Sequence, residues 1–268
     1  MDYRIIKYPR TPHIEGSRLQ IGDEDLSQVP FSEIKDKHIV IEEKIDGANT
    51  ALSFDGDGNL LLQSRGHYLT GGFRERHYNL FKQWAGVHRD AFYKRLSERY
   101  IMYGEWMYAK HSIYYDALPD YFMEFDVLDR ETGEFLDTKR RHEILSGLPV
   151  SHVPVLSEGR FQRMEDVLKF LGNSRFITEN HIENLRTAAE REGQDAEKVL
   201  RETDMSMTME GLYIKAEEDG EVKSRVKFVR ASFLQTVAES QSHWLNRPII
   251  PNGITRSIDE LFLPGEHE

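Results

Sequence analysis

Residues 39–49 read IVIEEKIDGAN. The apolar start predicts a short buried strand, and Gly47 predicts its end, because glycine lets a backbone turn sharply or approach a ligand closely. Lys44 is therefore expected at a strand end, on the edge of a pocket, with acidic residues on both sides of it. Such a lysine can be a nucleophile when nearby cations or burial lower its pKa. A short Lys-x-Asp-Gly also occurs by chance at solvated turns, so motifs elsewhere in the chain must decide between the two interpretations.

The composition is that of a globular protein. The chain has 268 residues, of which 39% are hydrophobic and 11% aromatic, enough for one large domain. It has no cysteine, which excludes disulfides, thiolate metal sites and cysteine nucleophiles. No signal peptide, lipidation motif or long apolar run is found, so we expect a soluble, cytoplasmic protein without a membrane partner. The net charge of −11 argues against general coating of nucleic acid, but allows a local basic site with a divalent metal.

The order of the predicted elements indicates an α+β fold. Two apolar runs at residues 50–54 and 60–63 flank the turn DGDGN, which predicts a hairpin. Aromatic residues recur at helical spacing between residues 74 and 100, and we interpret them as core. Further strands are expected at 101–106, 121–128, 210–215 and 222–228, with a charged helical insertion at 157–205. Regular strand–helix alternation and the two common phosphate-binding loops, GxxxxGK[ST] and GxGxxG, are absent.

Six short motifs follow one another on these strands. They are Lys44-x-Asp46-Gly47, Ser64-Arg65-Gly66, Tyr103-Gly104-Glu105, Glu124-Phe125-Asp126, Glu210-Gly211 and Arg225-x-Lys227. Each is unspecific alone, but their joint order resembles the covalent nucleotidyltransferase superfamily of polynucleotide ligases and mRNA capping enzymes. Within it, residues 43–49 look most like the RNA ligase 2-type branch of ATP-dependent RNA ligases. The resemblance spans about residues 39–230.

This resemblance implies the domain organisation. We expect a single nucleotidyltransferase domain over residues 1–268, an ATP-grasp-like ligase adenylation fold of antiparallel sheets with flanking helices. The insertion at 157–205 either docks RNA or is a solvated pair of charged helices. The tail after Lys227 is too short for a five-stranded OB barrel, so no OB domain is expected. That expectation argues against DNA ligases and capping enzymes, which close such a barrel over the active site.

The resemblance also implies the catalytic groups. Lys44 would attack the α-phosphate of ATP, and its pKa must then fall toward neutrality. Arg225 and Lys227 are the cations expected to lower that pKa and to neutralise the phosphate charge. The family usually has lysine at both positions, so Arg225 is a departure. Asp46 is expected to be structural or to support later catalytic steps.

The remaining roles concern nucleotide and RNA binding. By resemblance, Phe125 stacks on adenine and Glu43 accepts a hydrogen bond from its amino group. Taken singly, Phe125 is more typical of core packing, and Glu210 and Lys227 could be surface charges of a hairpin. The other implied contacts are Arg65 and Glu105 to ribose and phosphate, Glu210 to ribose or a divalent metal, Lys227 to phosphate, and Asn49 to the polynucleotide ends.

The sequence therefore predicts an ATP-dependent RNA ligase that joins 3′-OH and 5′-phosphate ends. The intermediates would be lysyl-AMP and a 5′-adenylylated polynucleotide, with Mg²⁺ or Mn²⁺ as metal. The expected setting is RNA repair, beside enzymes that process RNA ends. Two alternatives stay open: a DNA nick ligase, and a non-catalytic nucleotide-binding regulator, which would have no need of Lys44.

Overall fold

A computed structural model describes residues 4–19, 28–239 and 247–263, without the side chains of residues 73–74 and 237–239. The strands are β1 (Ile39–Lys44), β2 (Ala48–Phe54), β3 (Leu60–Ser64), β4 (Tyr100–Trp106), β5 (Phe122–Asp129), β6 (Ser151–His152), β7 (Val155–Gly159), β8 (Gly211–Glu218) and β9 (Glu221–Val229). The α-helices are α1 (Asn79–Val87), α2 (Arg89–Leu96), α3 (Thr138–Leu145), α4 (Met164–Leu168), α5 (His181–Arg191), α6 (Ala196–Arg201) and α7 (Ala231–Glu239).

Two sheets organise the described residues. One has the order β7-β1-β8-β9 and is antiparallel throughout, and the other has the order β3-β2-β4-β5-β6. Within the second sheet only the edge pair β5–β6 is parallel. This mixture of antiparallel hairpins with helices confirms the predicted α+β class.

Three aromatic side chains of α1 and α2 pack into the main core, as their helical spacing predicts. Phe81, Trp84 and Phe92 are almost fully buried. The ring of Trp84 stacks on Phe122 of β5, with centroids 5.2 Å apart. These two helices therefore cover one face of the five-stranded sheet and hold β4 and β5 in place.

Residues 157–205 are less uniformly helical than the sequence predicts. Residues up to Gly159 belong to β7, which pairs with β1 through Ile39 and Gly159. The strand is short and half-exposed, so it lacks the apolar run by which a buried strand is recognised. The helices α4, α5 and α6 follow it. The sequence also gives no prediction of α3, whose residues TKRRHEIL are mostly charged.

The chain crosses from one sheet to the other directly after Lys44. β1 ends there in the four-stranded sheet, and β2 begins at Ala48 in the five-stranded sheet. Gly47 lies in the crossing, where an added Cβ would come within 2.5 Å of Met107 Sδ and 2.8 Å of Glu105 Cγ. A side chain at this position would displace Met107 and Glu105, so the crossing favours glycine.

Candidate active site

A cavity of about 960 Å³ opens at the junction of the two sheets. This volume is at the upper end of the range of small-molecule sites. All of the sequence-predicted site residues except Arg225 lie in its wall, namely Glu43, Lys44, Asp46, Asn49, Arg65, Glu105, Phe125, Glu210 and Lys227.

Lys44 projects into this cavity from the end of β1. Its Nζ donates a hydrogen bond to Glu210 Oε2 at 2.7 Å, because Lys44 lies opposite Gly211 in the β1–β8 register. Burial alone would lower the pKa of Lys44, but the carboxylates of Glu210 and Glu105 together raise it above its usual value. The carboxylates thus favour the ammonium form of Lys44, whereas the sequence predicts a lowering of its pKa by Arg225 and Lys227.

The carboxylates around Lys44 are also perturbed. Burial raises the pKa of Glu105 to about 8, against the opposing effect of the Lys44 ammonium. Burial also raises the pKa of Glu210, and the Lys44 ammonium opposes that rise only in part. Carboxylate oxygens are the ligands that Mg²⁺ and Mn²⁺ prefer. These two acidic side chains therefore suit a divalent cation beside the nucleophile.

The first prediction concerns the protonation of Lys44. In Glu210→Gln the ammonium loses its nearest negative charge, so the pKa of Lys44 should fall. The fraction of neutral Lys44 should then rise at a lower pH than in the wild type. The measurement is the pH dependence of Lys44 modification by a small amine reagent, followed by peptide mass spectrometry without nucleotide. An unshifted or upward-shifted profile would contradict the pairing, and exposed Lys223 provides the internal control.

Asp46 anchors the loop that follows β4. Its Oδ2 accepts hydrogen bonds from the backbone N–H groups of Ser112 and Ile113 at 2.7 and 2.9 Å. Its own N–H donates to the hydroxyl of Tyr115 at 2.8 Å. The carboxylate also lines the cavity. These contacts favour the structural role among those expected from the sequence.

Glu43 is a buried glutamate whose carboxylate is available to a hydrogen-bond donor of a ligand. Its side chain is buried on β1, and burial raises its pKa to about 7, with Ser174 and the backbone of Arg175 nearby opposing that rise. Within the described residues, neither carboxylate oxygen makes a hydrogen bond of ordinary geometry. An unpaired buried polar group costs free energy, which a ligand donor such as an exocyclic amine would recover.

An aromatic wall closes the side of the cavity that contains Phe125. The ring of Phe125 meets that of Tyr8 edge-on, with centroids 5.0 Å apart. The hydroxyl of Tyr213 bonds those of Tyr8 and Thr11 at 2.6 and 2.7 Å. The sequence assigns no role to the segment containing Tyr8 and Thr11, since its prolines indicate only an irregular loop. Its place against β9 arises from a backbone bond, Lys227 N–H to Pro12 O at 2.9 Å.

The two cations of β9 have different environments. Lys227 lines the cavity and lies close enough to Glu210 for its charge to oppose, in part, the rise of the pKa of that carboxyl caused by burial. Arg225 does not line it: its guanidinium lies over the ring of Phe135 at 3.9 Å and 3.9 Å from Asp126 Oδ2. The prediction that Arg225 acts directly on Lys44 is therefore corrected to a supporting position behind Tyr8 and Asp126.

The remaining predicted residues lie at the rim. Asn49 of β2 is half-buried directly opposite Glu105 of β4. Arg65 follows β3 and is exposed at the cavity edge. Both can reach a ligand that extends out of the cavity.

A buried charge network, which sequence reasoning did not predict, lies beneath the cavity. Arg141 of α3 and Lys215 of β8 are fully buried. Arg141 pairs with Glu42 and with Glu124, and Lys215 Nζ lies 2.9 Å from Glu42 and 3.0 Å from Asp126. Both cations also donate to the carbonyl oxygen of Phe125. The network thus holds the backbone of the residue that carries the aromatic wall.

Comparisons with known proteins agree with this geometry. The sequence profile of the RNA ligase family matches residues 37–229, which contain nearly all of the cavity wall. No protein of curated function matches the sequence.

No helix among the described residues is long and apolar enough to cross a membrane.

Solved structures of a Naegleria gruberi RNA ligase have a similar fold. A lysine-to-methionine variant with AMP and Mn is 15% identical, with a TM-score of 0.55, over 88% of this chain and 59% of that one. An arginine-to-alanine variant with ATP and Mn is 14% identical, with a TM-score of 0.54, over 87% and 59%. A lysine-to-alanine variant with ATP and Mn is 13% identical, with a TM-score of 0.53, over 86% and 58%. The chain thus spans less than two thirds of these structures, and at such identity the likeness shows the fold alone.

Proposed function

Because this chain belongs to the RNA ligase family, we propose that it is an ATP-dependent RNA ligase that joins 3′-OH to 5′-phosphate ends through lysyl-AMP and 5′-adenylylated RNA. The observation that carries the proposal is the position of Lys44, whose Nζ contacts Glu210 inside a cavity shared with Glu43 and Phe125. The structural neighbours with ATP, AMP and Mn support ATP and a divalent metal as the ligands. We also propose a cytoplasmic role in RNA repair, beside RNA end-processing enzymes.

The first step would form a bond between Lys44 Nζ and the α-phosphorus of ATP and break the bond to pyrophosphate. Lys44 must first lose its proton, and Glu210 Oε2 is placed to accept it at 2.7 Å. Lys227 lies in the same wall and would neutralise charge that develops on the phosphate. Glu105, together with the second carboxylate oxygen of Glu210, would hold a divalent cation, which would supply further neutralisation of the phosphates.

We expect base selection to depend on whether the side chain of Glu43 is ionised or protonated. Above its pKa of about 7 the carboxylate only accepts, which suits the adenine amino group. Below that pKa the carboxyl can donate, which also suits the guanine oxygen. We therefore expect the ratio of ATP to GTP labelling to rise from about pH 6 to about pH 8.

In Glu43→Ala, the ratio should be lower and independent of pH. Phe125→Ala is the matched control, because loss of stacking should weaken both nucleotides by about 1–3 kcal/mol and leave the ratio unchanged. The measurement is covalent labelling with each nucleotide at several pH values. Equal labelling of the wild type by ATP and GTP at every pH would refute this role of Glu43.

The choice of RNA is tested with matched nicks that differ only near the 3′-OH. The 2′-OH is how a protein distinguishes RNA from DNA, and we expect Asn49 and Arg65, which line the cavity, to contact the polynucleotide. We expect ribonucleotides at the terminal positions to speed sealing. Equal or faster sealing of the all-DNA nick would favour a DNA ligase. Nucleotide binding without labelling of Lys44 would favour the regulator.

A further inference from the structure

Outside the cavity wall, one glutamate and two histidines meet from three different elements. Glu124 lies on β5, His142 on α3 and His152 on β6. Each offers one ligand atom, and the three atoms lie within 4.8 Å of one another. The function proposed above uses none of these side chains.

The sheet places two of the three side by side. β5 and β6 pair in parallel with Glu124 directly opposite His152, and His152 Nδ1 lies 2.6 Å from Glu124 Oε2. The ring of His142 packs on that of His152, with centroids 4.1 Å apart. Among the described residues, the buried Nε2 of His142 has no hydrogen-bond partner. This nitrogen is therefore available to a metal ion.

Two imidazole nitrogens and a carboxylate oxygen are a donor set of zinc sites that keep a position open to water. Zinc binds these atoms at about 2.0–2.2 Å, so its ligand atoms lie about 3–4 Å apart. The three atoms here lie within 4.8 Å of one another, and His152 Nδ1 and Glu124 Oε2, which are 2.6 Å apart, would have to separate slightly. The side chain of His152 is 29% exposed, which gives an ion a route from solvent.

The positive charge of Arg141, which lies beside Glu124, opposes the binding of a cation. Arg141 Nη1 lies 3.3 Å from Glu124 Oε1. The same guanidinium also pairs with Glu42 and donates to the carbonyl of Phe125, so Glu124 is not its only partner. The second oxygen of Glu124, Oε2, lies 2.6 Å from His152 Nδ1 and 3.4 Å from the same Arg141 nitrogen. We expect this shared charge to weaken binding relative to a site without an arginine, but not to prevent it.

We propose that Glu124, His142 and His152 form a binding site for a divalent transition-metal ion, with zinc as the ion that fits the donor set. This site uses different side chains from those that would hold a metal beside ATP. The ion would join β5, α3 and β6 next to Phe125, so its role would be structural, in fixing the aromatic wall of the cavity. The proposal does not depend on ligase activity.

The test is a zinc titration of the metal-free, full-length protein without nucleotide, in competition with a chromophoric chelator. We expect one zinc per chain at this site, and at least about tenfold weaker binding in His142→Ala and in His152→Ala. His38→Ala, which alters an exposed histidine before β1, should bind zinc as the wild type does. Cobalt should give the visible bands of tetrahedral coordination in the wild type and in His38→Ala, and not in His142→Ala or His152→Ala. Zinc at about a hundredfold excess over its Kd should raise the Tm by about 5 °C or more.

Unchanged zinc binding in both histidine variants would overturn the proposal. So would loss of binding in Glu105→Gln with retention in His142→Ala, because zinc would then occupy the acidic cavity. If an alanine variant fails to fold, His152→Gln keeps a hydrogen-bond donor toward Glu124 and lacks the imidazole ligand. The same loss of zinc binding is expected of that variant, and retention there would likewise refute the site.

Discussion

Lys44→Ala should lose ATP-dependent sealing by at least about 10⁴-fold, as happens when a catalytic nucleophile is removed. The reason is geometric: Lys44 Nζ is the amine that contacts Glu210 within the acidic part of the cavity. The variant should still seal RNA that already has a 5′-adenylyl group, because that step needs no lysyl-AMP. The measurement is sealing of 5′-phosphate and 5′-adenylylated RNA in parallel.

Lys223→Ala is the matched control for this prediction. Lys223 is an exposed lysine of β9, paired with Glu221 and remote from the cavity wall, so both reactions should proceed at the wild-type rate. Normal sealing of 5′-phosphate RNA by Lys44→Ala would contradict the role of Lys44. Loss of sealing with both substrates would assign Lys44 a role in later steps as well.

Arg141→Met should be the most destabilising single change in the site. The substitution leaves Glu42 and Glu124 buried with one cation fewer, and breaking such a pair typically costs about 3–5 kcal/mol. It also removes a donor to the carbonyl of Phe125, so nucleotide binding should weaken in the fraction that remains folded. The measurement is the free energy of unfolding from urea titration.

Lys139→Met is the control for Arg141, since it lies on the same helix and is exposed. Surface substitutions of this kind usually change the free energy of unfolding by no more than about 0.5 kcal/mol. A loss below about 1 kcal/mol in Arg141→Met would contradict the account of the network. It would mean that water or a local shift compensates the unpaired carboxylates.

The sequence predicted those features that short patterns encode. The apolar run before Lys44, the DGDGN turn and the alternating motifs gave β1, the β2–β3 hairpin and the β8–β9 hairpin within a few residues. The order of the motifs also predicted which residues would meet in one site. Residues at the strand ends near Gly47 and Gly211 come together once the strands pair. The family to which the chain belongs confirms the resemblance on which that ordering rested.

The features that the sequence did not predict depend on contacts between distant parts of the chain. Arg141 lies 99 residues from Glu42, and nothing in the charged sequence of α3 marks that arginine as buried. Tyr8 is likewise 118 residues from Asp126, to which it donates. Arg225 and Lys227 lie two residues apart on one face of β9, but the rings of Tyr8 and Phe135 cover Arg225. Pairing across such distances is set by the assembled fold.

The direction of the pKa shift of Lys44 was likewise not predictable from the sequence. From the motif alone, the cations of β9 are expected to lower its pKa. In the folded chain the nearer groups are carboxylates, and their combined negative charge raises the pKa of Lys44. The electrostatics of a nucleophile therefore depends on which charges the fold brings closest, and binding of a triphosphate would change that balance.

Peptide mapping of the wild-type protein after incubation with ATP and Mg²⁺ tests the central claim most directly. We predict one AMP per chain, attached by an acid-labile phosphoramidate to the peptide that contains Lys44, and reversed by added pyrophosphate. AMP on a different lysine, or an unmodified protein under conditions in which ATP is bound, would contradict the assignment of Lys44 as the nucleophile.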